Sequence, residues 1–215
     1  MLDPINTQED PAMFSISSFR SNEGTRFRAT AWGVGAAVLL AVAFVPVGAA
    51  AQSDEEMIVD ALRAAPPGIS ETATVSDLAG KVLRKGSGGY TCFPAPTGIA
   101  GPMCMDAEWL TWMDAWMNQK PFTAKSVGIA YMIAGDSPEG GASNIDPAAA
   151  TPTSENEWVV EGPHIMVISP DPADLEGLPV TMETDGPYVM WSGTPYAHVM
   201  IPVGARPDQR KVAQK

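Results

Sequence analysis

Glycine and proline recur throughout this sequence and limit the length of the helices and strands that it can form. The chain contains 20 Gly and 20 Pro among 215 residues. Proline interrupts helices and central strands, and glycine favours turns. Because 45% of the residues are hydrophobic and only 18% are charged, the chain can still bury a core. The sequence therefore predicts a globular domain of short strands and helices joined by many turns.

The first part of the chain has the layout of an export signal. Residues 29–51 carry no charge, and three arginines lie shortly before them. Small residues then lead to a cleavage point after Ala51. We expect residues 1–51 to be a signal peptide and residues 52–215 to be a single exported domain, periplasmic or extracellular. The alternative is an uncleaved membrane anchor, since an apolar run of about 20 residues can span a bilayer.

The charge balance narrows the range of partners. The net charge is −12 and the isoelectric point is near 4.4. Nucleic acids and anionic lipid surfaces attract basic proteins, so this chain is not expected to bind either through a positive patch. We expect a small ligand or a protein as its partner, with membrane contact only through the N-terminal segment if that segment stays uncleaved.

Cys92 and Cys104 are the only cysteines of the chain. Thiols oxidise outside the cytosol, so an exported protein with two cysteines is expected to pair them. The resulting loop contains several prolines and glycines, and closing it stabilises the fold by about 3 kcal/mol. A metal site that uses Met103, Cys104 and Met105 is the alternative, although it lacks a second clustered cysteine.

Two helices are predicted from capping residues and helical spacing. Ser53 precedes three acidic residues and an apolar pattern that ends at Pro66, and Asp106 precedes a second pattern that ends before Pro121. The second helix is amphipathic, and its short segment contains three tryptophans and two methionines. Such a stripe is typical of a protein core, and a surface for stacking a ligand is the alternative.

Short apolar or β-branched stretches between turn residues predict the strands. They cover residues 72–76, 81–84, 90–93, 127–133, 157–160, 164–169, 188–191 and 197–203. Most of them occur in neighbouring pairs, which favours antiparallel pairing. The predicted fold class is therefore α+β, a single domain with a mainly antiparallel sheet and two short helices on one side.

Five segments of the chain together resemble a group of exported bacterial proteins that has no established activity. They are Tyr90-Thr91-Cys92-Phe93-Pro94, Met103-Cys104-Met105-Asp106, Gly128-Ile129-Ala130-Tyr131-Met132, Gly162-Pro163-His164-Ile165-Met166, and residues 187–203. The resemblance covers most of the chain after residue 51. It implies export and a single domain, and it carries over no catalytic or binding residue.

The two histidines occur in the same local pattern. Each starts a His-x-Met tripeptide, at His164 with Met166 and at His198 with Met200. Residues i and i+2 of a strand share a face, so each histidine and its methionine should point the same way. Imidazole and thioether are ligands for copper, and thioether favours Cu(I). A copper site built from these four residues is one hypothesis, and structural packing is the other.

Motifs of known enzyme chemistry are missing from the sequence. There is no nucleophile elbow, no phosphate-binding glycine loop, no zinc-protease helix motif and no Cys-x-x-Cys. Two distant carboxylates could still form an acid and base pair without a local pattern. The leading expectation is a non-catalytic binding or structural domain, with no cofactor. The alternatives are a periplasmic copper-binding protein and an enzyme with a carboxylate-based site.

Overall fold

The computed structural model describes residues 52–96, 100–183 and 185–207. The predicted signal peptide, residues 1–51, lies outside these residues. The described residues cluster as one compact unit. None of the helices in the described part of the chain is long and apolar enough to cross a membrane.

Helices are few and short in this fold. They are α1 (Asp54–Leu62), α2 (Pro67–Ser70) and α3 (Ala107–Met117), with a 3-10 helix at Pro172–Leu175. As predicted, Ser53 caps α1, in a reciprocal pair with Glu56. The predicted cap at Asp106 is also confirmed, because its carboxylate accepts from the backbone N–H of Trp109 at 2.9 Å. The other oxygen of Asp106 accepts from the N–H of Ile129 at 2.6 Å and thereby ties α3 to the sheet.

Eight strands form one sheet and two more form a separate ribbon. The strands are β1 (Thr74–Ser76), β2 (Val82–Arg84), β3 (Thr91–Phe93), β4 (Met103–Met105), β5 (Gly128–Met132), β6 (Ala142–Ser143), β7 (Trp158–Val159), β8 (His164–Ile168), β9 (Tyr188–Met190) and β10 (His198–Pro202). The large sheet has the order β2-β1-β3-β4-β5-β8-β10-β9, and β6 pairs with β7.

The predicted fold class is wrong. The sheet is mixed, because β1 and β3 pair in parallel, and it is large with little helix around it. The helices also lie on opposite faces. In β4, Cys104 packs against the core cluster beneath α1, whereas Met105 belongs to the cluster beneath α3. Side chains alternate along a strand, so these two clusters occupy opposite faces of the sheet.

The predicted disulfide between Cys92 and Cys104 is confirmed. The two residues lie directly opposite each other in the antiparallel pair of β3 and β4, and both are fully buried. The disulfide therefore cross-links the middle of the sheet on the α1 face.

Candidate functional site

A cavity of about 370 Å³ lies between α3 and the sheet. Methionine is its dominant lining residue, and eight of the chain's 12 methionines contribute to it: Met103, Met105, Met113, Met117, Met132, Met166, Met190 and Met200. Four tryptophans complete most of the wall: Trp109, Trp112, Trp116 and Trp191. We call this space the Trp–Met cavity. Thioethers and indoles are polarizable, adaptable groups that suit apolar or soft ligands.

The tryptophans of α3 join one further indole to form an ordered stack. Trp112 is stacked on Trp191, with ring centroids 5.5 Å apart and an interplanar angle of 3°. Trp116 also packs against Trp191, at 5.6 Å. The indole N–H of Trp116 donates to the carbonyl of Pro147, and that of Trp191 donates to the carbonyl of Ser143. These bonds fix the orientation of the Trp116 and Trp191 rings.

Trp191 adopts an unusual backbone conformation directly after β9. Its φ is +56°, in the left-handed region that a bulky residue rarely occupies. The backbone N–H of Trp191 donates to the carbonyl of Asn144 at 2.8 Å. This backbone conformation places the indole beside His198, the first residue of β10.

His198 is enclosed by three indoles at the start of β10. The rings of Trp109, Trp112 and Trp191 lie edge-on to the imidazole with centroids 5.4, 5.4 and 5.2 Å away. His198 is only 2% exposed. Burial lowers the pKa of His198 to about 4, because the charged imidazolium would lose its hydration there. The imidazole is therefore neutral at physiological pH.

The two His-x-Met strands lie side by side, and their paired residues share a face. Strands β8 and β10 are antiparallel neighbours, with Met200 opposite Met166 and Pro202 opposite His164. All four predicted site residues line the Trp–Met cavity. The antiparallel register nevertheless places the histidines at opposite ends, four residues or about 14 Å of strand apart. Side chains stand roughly perpendicular to a sheet, so a single ion could not reach all four.

The register instead gives each histidine two methionine neighbours. His198 lies opposite Met190 of β9 and two residues before Met200. At the other end, His164 lies opposite Met132 of β5 and two residues before Met166. We call these sets the His198 triad and the His164 triad. Met190 and Met132 were missed by sequence reasoning, because strand pairing between distant segments decides which residues are neighbours.

Polar groups gather at the end of the cavity that contains His164. The carboxylate of Glu161, 1% exposed, accepts from the guanidinium of Arg206 at 2.8 and 2.9 Å and from the hydroxyl of Tyr188 at 2.9 Å. Asp136 accepts from the backbone N–H of Glu161 at 2.8 Å. Burial raises the pKa of Asp136, and the nearby Glu161 carboxylate adds to the rise. This end is therefore polar and internally bonded, whereas the His198 end is aromatic.

The tryptophans of α3 serve as core and as cavity wall at once. Trp109 and Trp112 are buried in the main hydrophobic cluster, as the predicted core role requires, and they also line the cavity. Among the described residues, no group of three or more His, Cys, Asp or Glu side chains could hold a metal ion.

Comparison with known proteins identifies no relative of this chain. No protein-family description matches its sequence, and neither a curated protein nor a solved structure shows significant similarity to it. Functional inference therefore depends on the geometry of the Trp–Met cavity.

Proposed function

We propose that the protein is an exported, non-catalytic binding protein that holds a small ligand in the Trp–Met cavity. The observation that carries this proposal is the cavity itself, about 370 Å³ and walled by methionines and tryptophans. Small-molecule sites are concave, mostly apolar and about 300–1,000 Å³ in volume, with a few polar groups that fix the orientation of the ligand.

Binding explains the polar groups better than catalysis does. A general acid or base must reach the reacting atom and exchange a proton with it. The Glu161 carboxylate already accepts from Arg206 and from the Tyr188 hydroxyl, so its oxygens are occupied by partners within the protein. His198 faces indoles and methionines rather than a nucleophile. A carboxylate-based enzyme site remains the alternative, centred on Asp136.

The disulfide and the charge support export to an oxidising compartment. The Cys92–Cys104 bond lies in the centre of the sheet, and disulfides persist mainly in the periplasm or outside the cell. The net charge of −12 favours solubility and disfavours binding to nucleic acid. We therefore propose a periplasmic or extracellular location and a small-molecule partner.

Binding of a neutral aromatic probe tests the proposal. N-phenyl-1-naphthylamine fluoresces in apolar sites, and excitation of the cavity tryptophans should transfer energy to it. We expect saturable binding at one probe per chain. Ala142, which lines the cavity, provides a blocking variant, and Ala142→Phe should weaken binding at least tenfold. Val59, 67% exposed, provides the control Val59→Phe, which should bind as the native protein does.

Two results would contradict this proposal. One is a native protein that does not bind the probe, and the other is equal binding by the two phenylalanine variants. The second result would place the probe on the surface rather than in the cavity. Circular dichroism of each variant confirms that loss of binding does not arise from loss of folding.

A further inference from the structure

We propose that the soft ligand held at the aromatic end of the Trp–Met cavity is a Cu(I) ion, bound by Nε2 of His198 and the sulfur atoms of Met190 and Met200. This inference rests on the proposed function for the identity of the binding cavity, and it names the chemical class of the ligand. It also replaces the single four-residue site suggested by the sequence with a three-residue site at one end of the cavity.

Strand pairing assembles the three donors. His198 and Met190 are directly opposite each other in the β9–β10 pair. Met200 follows two residues after His198 and therefore lies on the same face of β10. The three donor residues thus occupy neighbouring positions on one face of the sheet. All of them are buried and line the cavity. One imidazole and two thioethers form a soft ligand set, which selects Cu(I) over Zn²⁺, Ca²⁺ and Mg²⁺.

The hydrogen bond that His198 makes leaves its Nε2 nitrogen free to bind a metal ion. Nδ1 lies 2.9 Å from the carbonyl oxygen of Tyr196. A carbonyl only accepts, so Nδ1 carries the hydrogen and Nε2 keeps its lone pair. Such a bond from the second ring nitrogen is the usual way in which proteins orient a metal-binding histidine.

The surrounding rings suit a singly charged, soft cation. Three indoles lie within 5.4 Å of the His198 ring. The wall they form excludes water, which would otherwise favour oxidation to Cu(II) with harder ligands. Neither cysteine competes as a ligand, because Cys92 and Cys104 are joined in the disulfide on the opposite face.

The His164 triad provides an internal comparison. His164, Met132 and Met166 repeat the same arrangement of donors, and Nδ1 of His164 is likewise bonded to a carbonyl, that of Gly162 at 2.7 Å. Its surroundings differ, since Asp136, Glu161 and Arg206 lie at that end of the cavity and no aromatic contact to His164 is present among the described residues. Hard oxygens and a guanidinium make that end less suitable for Cu(I).

The test is an anaerobic titration of the native protein with Cu(I) against a colorimetric chelator, with ascorbate as the reductant so that the disulfide stays intact. We expect one Cu(I) per chain and quenching of tryptophan emission, because the indoles surround the site. Met190→Leu combined with Met200→Leu conserves volume and should weaken binding at least tenfold. His198→Leu should do the same.

The control is Met57→Leu, which removes a thioether of α1 that does not line the cavity and should leave Cu(I) affinity and quenching unchanged. Thermal melts confirm the folding of each variant, and bound Cu(I) should raise the native melting temperature. The proposal is overturned if the native protein binds no Cu(I), or if the control loses binding while the Met190 and Met200 variant keeps it. Probe binding without Cu(I) binding would overturn this inference and leave the proposed function standing, whereas a protein that binds neither would overturn both.

Discussion

The two faces of the large sheet are packed in different ways. The α1 face is filled by small side chains and the disulfide: Ala61, Ala64, Ala65, Ala73, Val75, Cys92 and Cys104 form its buried cluster. The α3 face is filled by large ones, mainly methionine, tryptophan and tyrosine. Small side chains let a helix approach a sheet closely, whereas long flexible side chains and flat rings leave space between them. The cavity occurs on the second face for this reason.

The two faces of the sheet therefore have different roles. The α1 face holds a covalent bond in tightly packed surroundings and contributes stability. The α3 face contains the cavity, both histidines and the buried ion pair. Such features lower the free energy of unfolding unless other interactions compensate for them. Proteins commonly accept such costs at binding sites.

Removal of Arg206 should cause the largest loss of stability. Arg206→Met leaves the carboxylate of Glu161 buried without its cation, and such a change typically costs about 3–5 kcal/mol. Urea denaturation measures it. Lys120→Met breaks an exposed pair with Asp114 and should change stability very little. Adding Glu161→Gln to Arg206→Met should recover part of the loss, and a loss no greater than that of Lys120→Met would show that the buried pair contributes little.

Loss of the disulfide should come next and should affect only one face. The variant with both Cys92→Ala and Cys104→Ala should lose about 3 kcal/mol of unfolding free energy. The cysteines lie on the α1 face, so the folded variant should still bind the naphthylamine probe with native affinity. Denaturation and probe titration on the same sample measure both quantities. A folded variant that lost probe binding would show that the faces are coupled.

Much of the local structure could be predicted from the sequence. Ser53 and Asp106 have the side chains that cap helices, and α1 and α3 begin directly after them. Strands β8 and β10 lie within predicted stretches, because apolar runs and turn residues are local signals. Strand β4, Met103–Met105, was not predicted, since three residues between Pro102 and Asp106 carry too short a pattern. The short helix α2 was missed because Pro66 and Pro67 indicate only the end of the preceding helix.

The candidate site could be predicted only in part. His164 and His198 were identified by their shared tripeptide, and the structure places their strands side by side. Their true neighbours, Met132 and Met190, depend on the register between segments far apart in the chain. The side of the sheet on which each helix packs is equally non-local, because it depends on which alternate residues of β3 and β4 face which helix. No pattern within one segment contains this information.

The packing contrast can be tested with one alanine from each face. Ala61 of α1 is fully buried, and Ala61→Leu adds carbon atoms to a closely packed cluster, which should cost about 1–3 kcal/mol. Ala142 lines the cavity, so Ala142→Leu has space to occupy and should cost less than the Ala61 change. Urea denaturation of both variants compares the faces directly. Equal losses would contradict the proposed difference in packing between the two faces.

The smallest predicted effect is a dependence of stability on pH that originates at His198. Its pKa is about 4 in the folded protein and about 6.5 in the unfolded chain, so the unfolded state binds the proton more tightly. The contribution of His198 to the free energy of unfolding is therefore fully present above pH 6.5, and it is lost as the pH drops from 6.5 towards 4. Between pH 7.5 and 6 the loss should be about 1 kcal/mol.

His198→Leu isolates this contribution. The raised pKa of Asp136 acts in the opposite direction, since it favours protonation of the folded state, but that contribution is common to both proteins and cancels in the comparison. Urea denaturation at pH 7.5 and pH 6 should therefore show a steeper loss in the native protein than in the variant. Parallel pH dependences would mean that His198 is not held neutral by its burial, and the aromatic end of the cavity would then be open to water. That result would remove the contrast between the surroundings of His198 and those of His164.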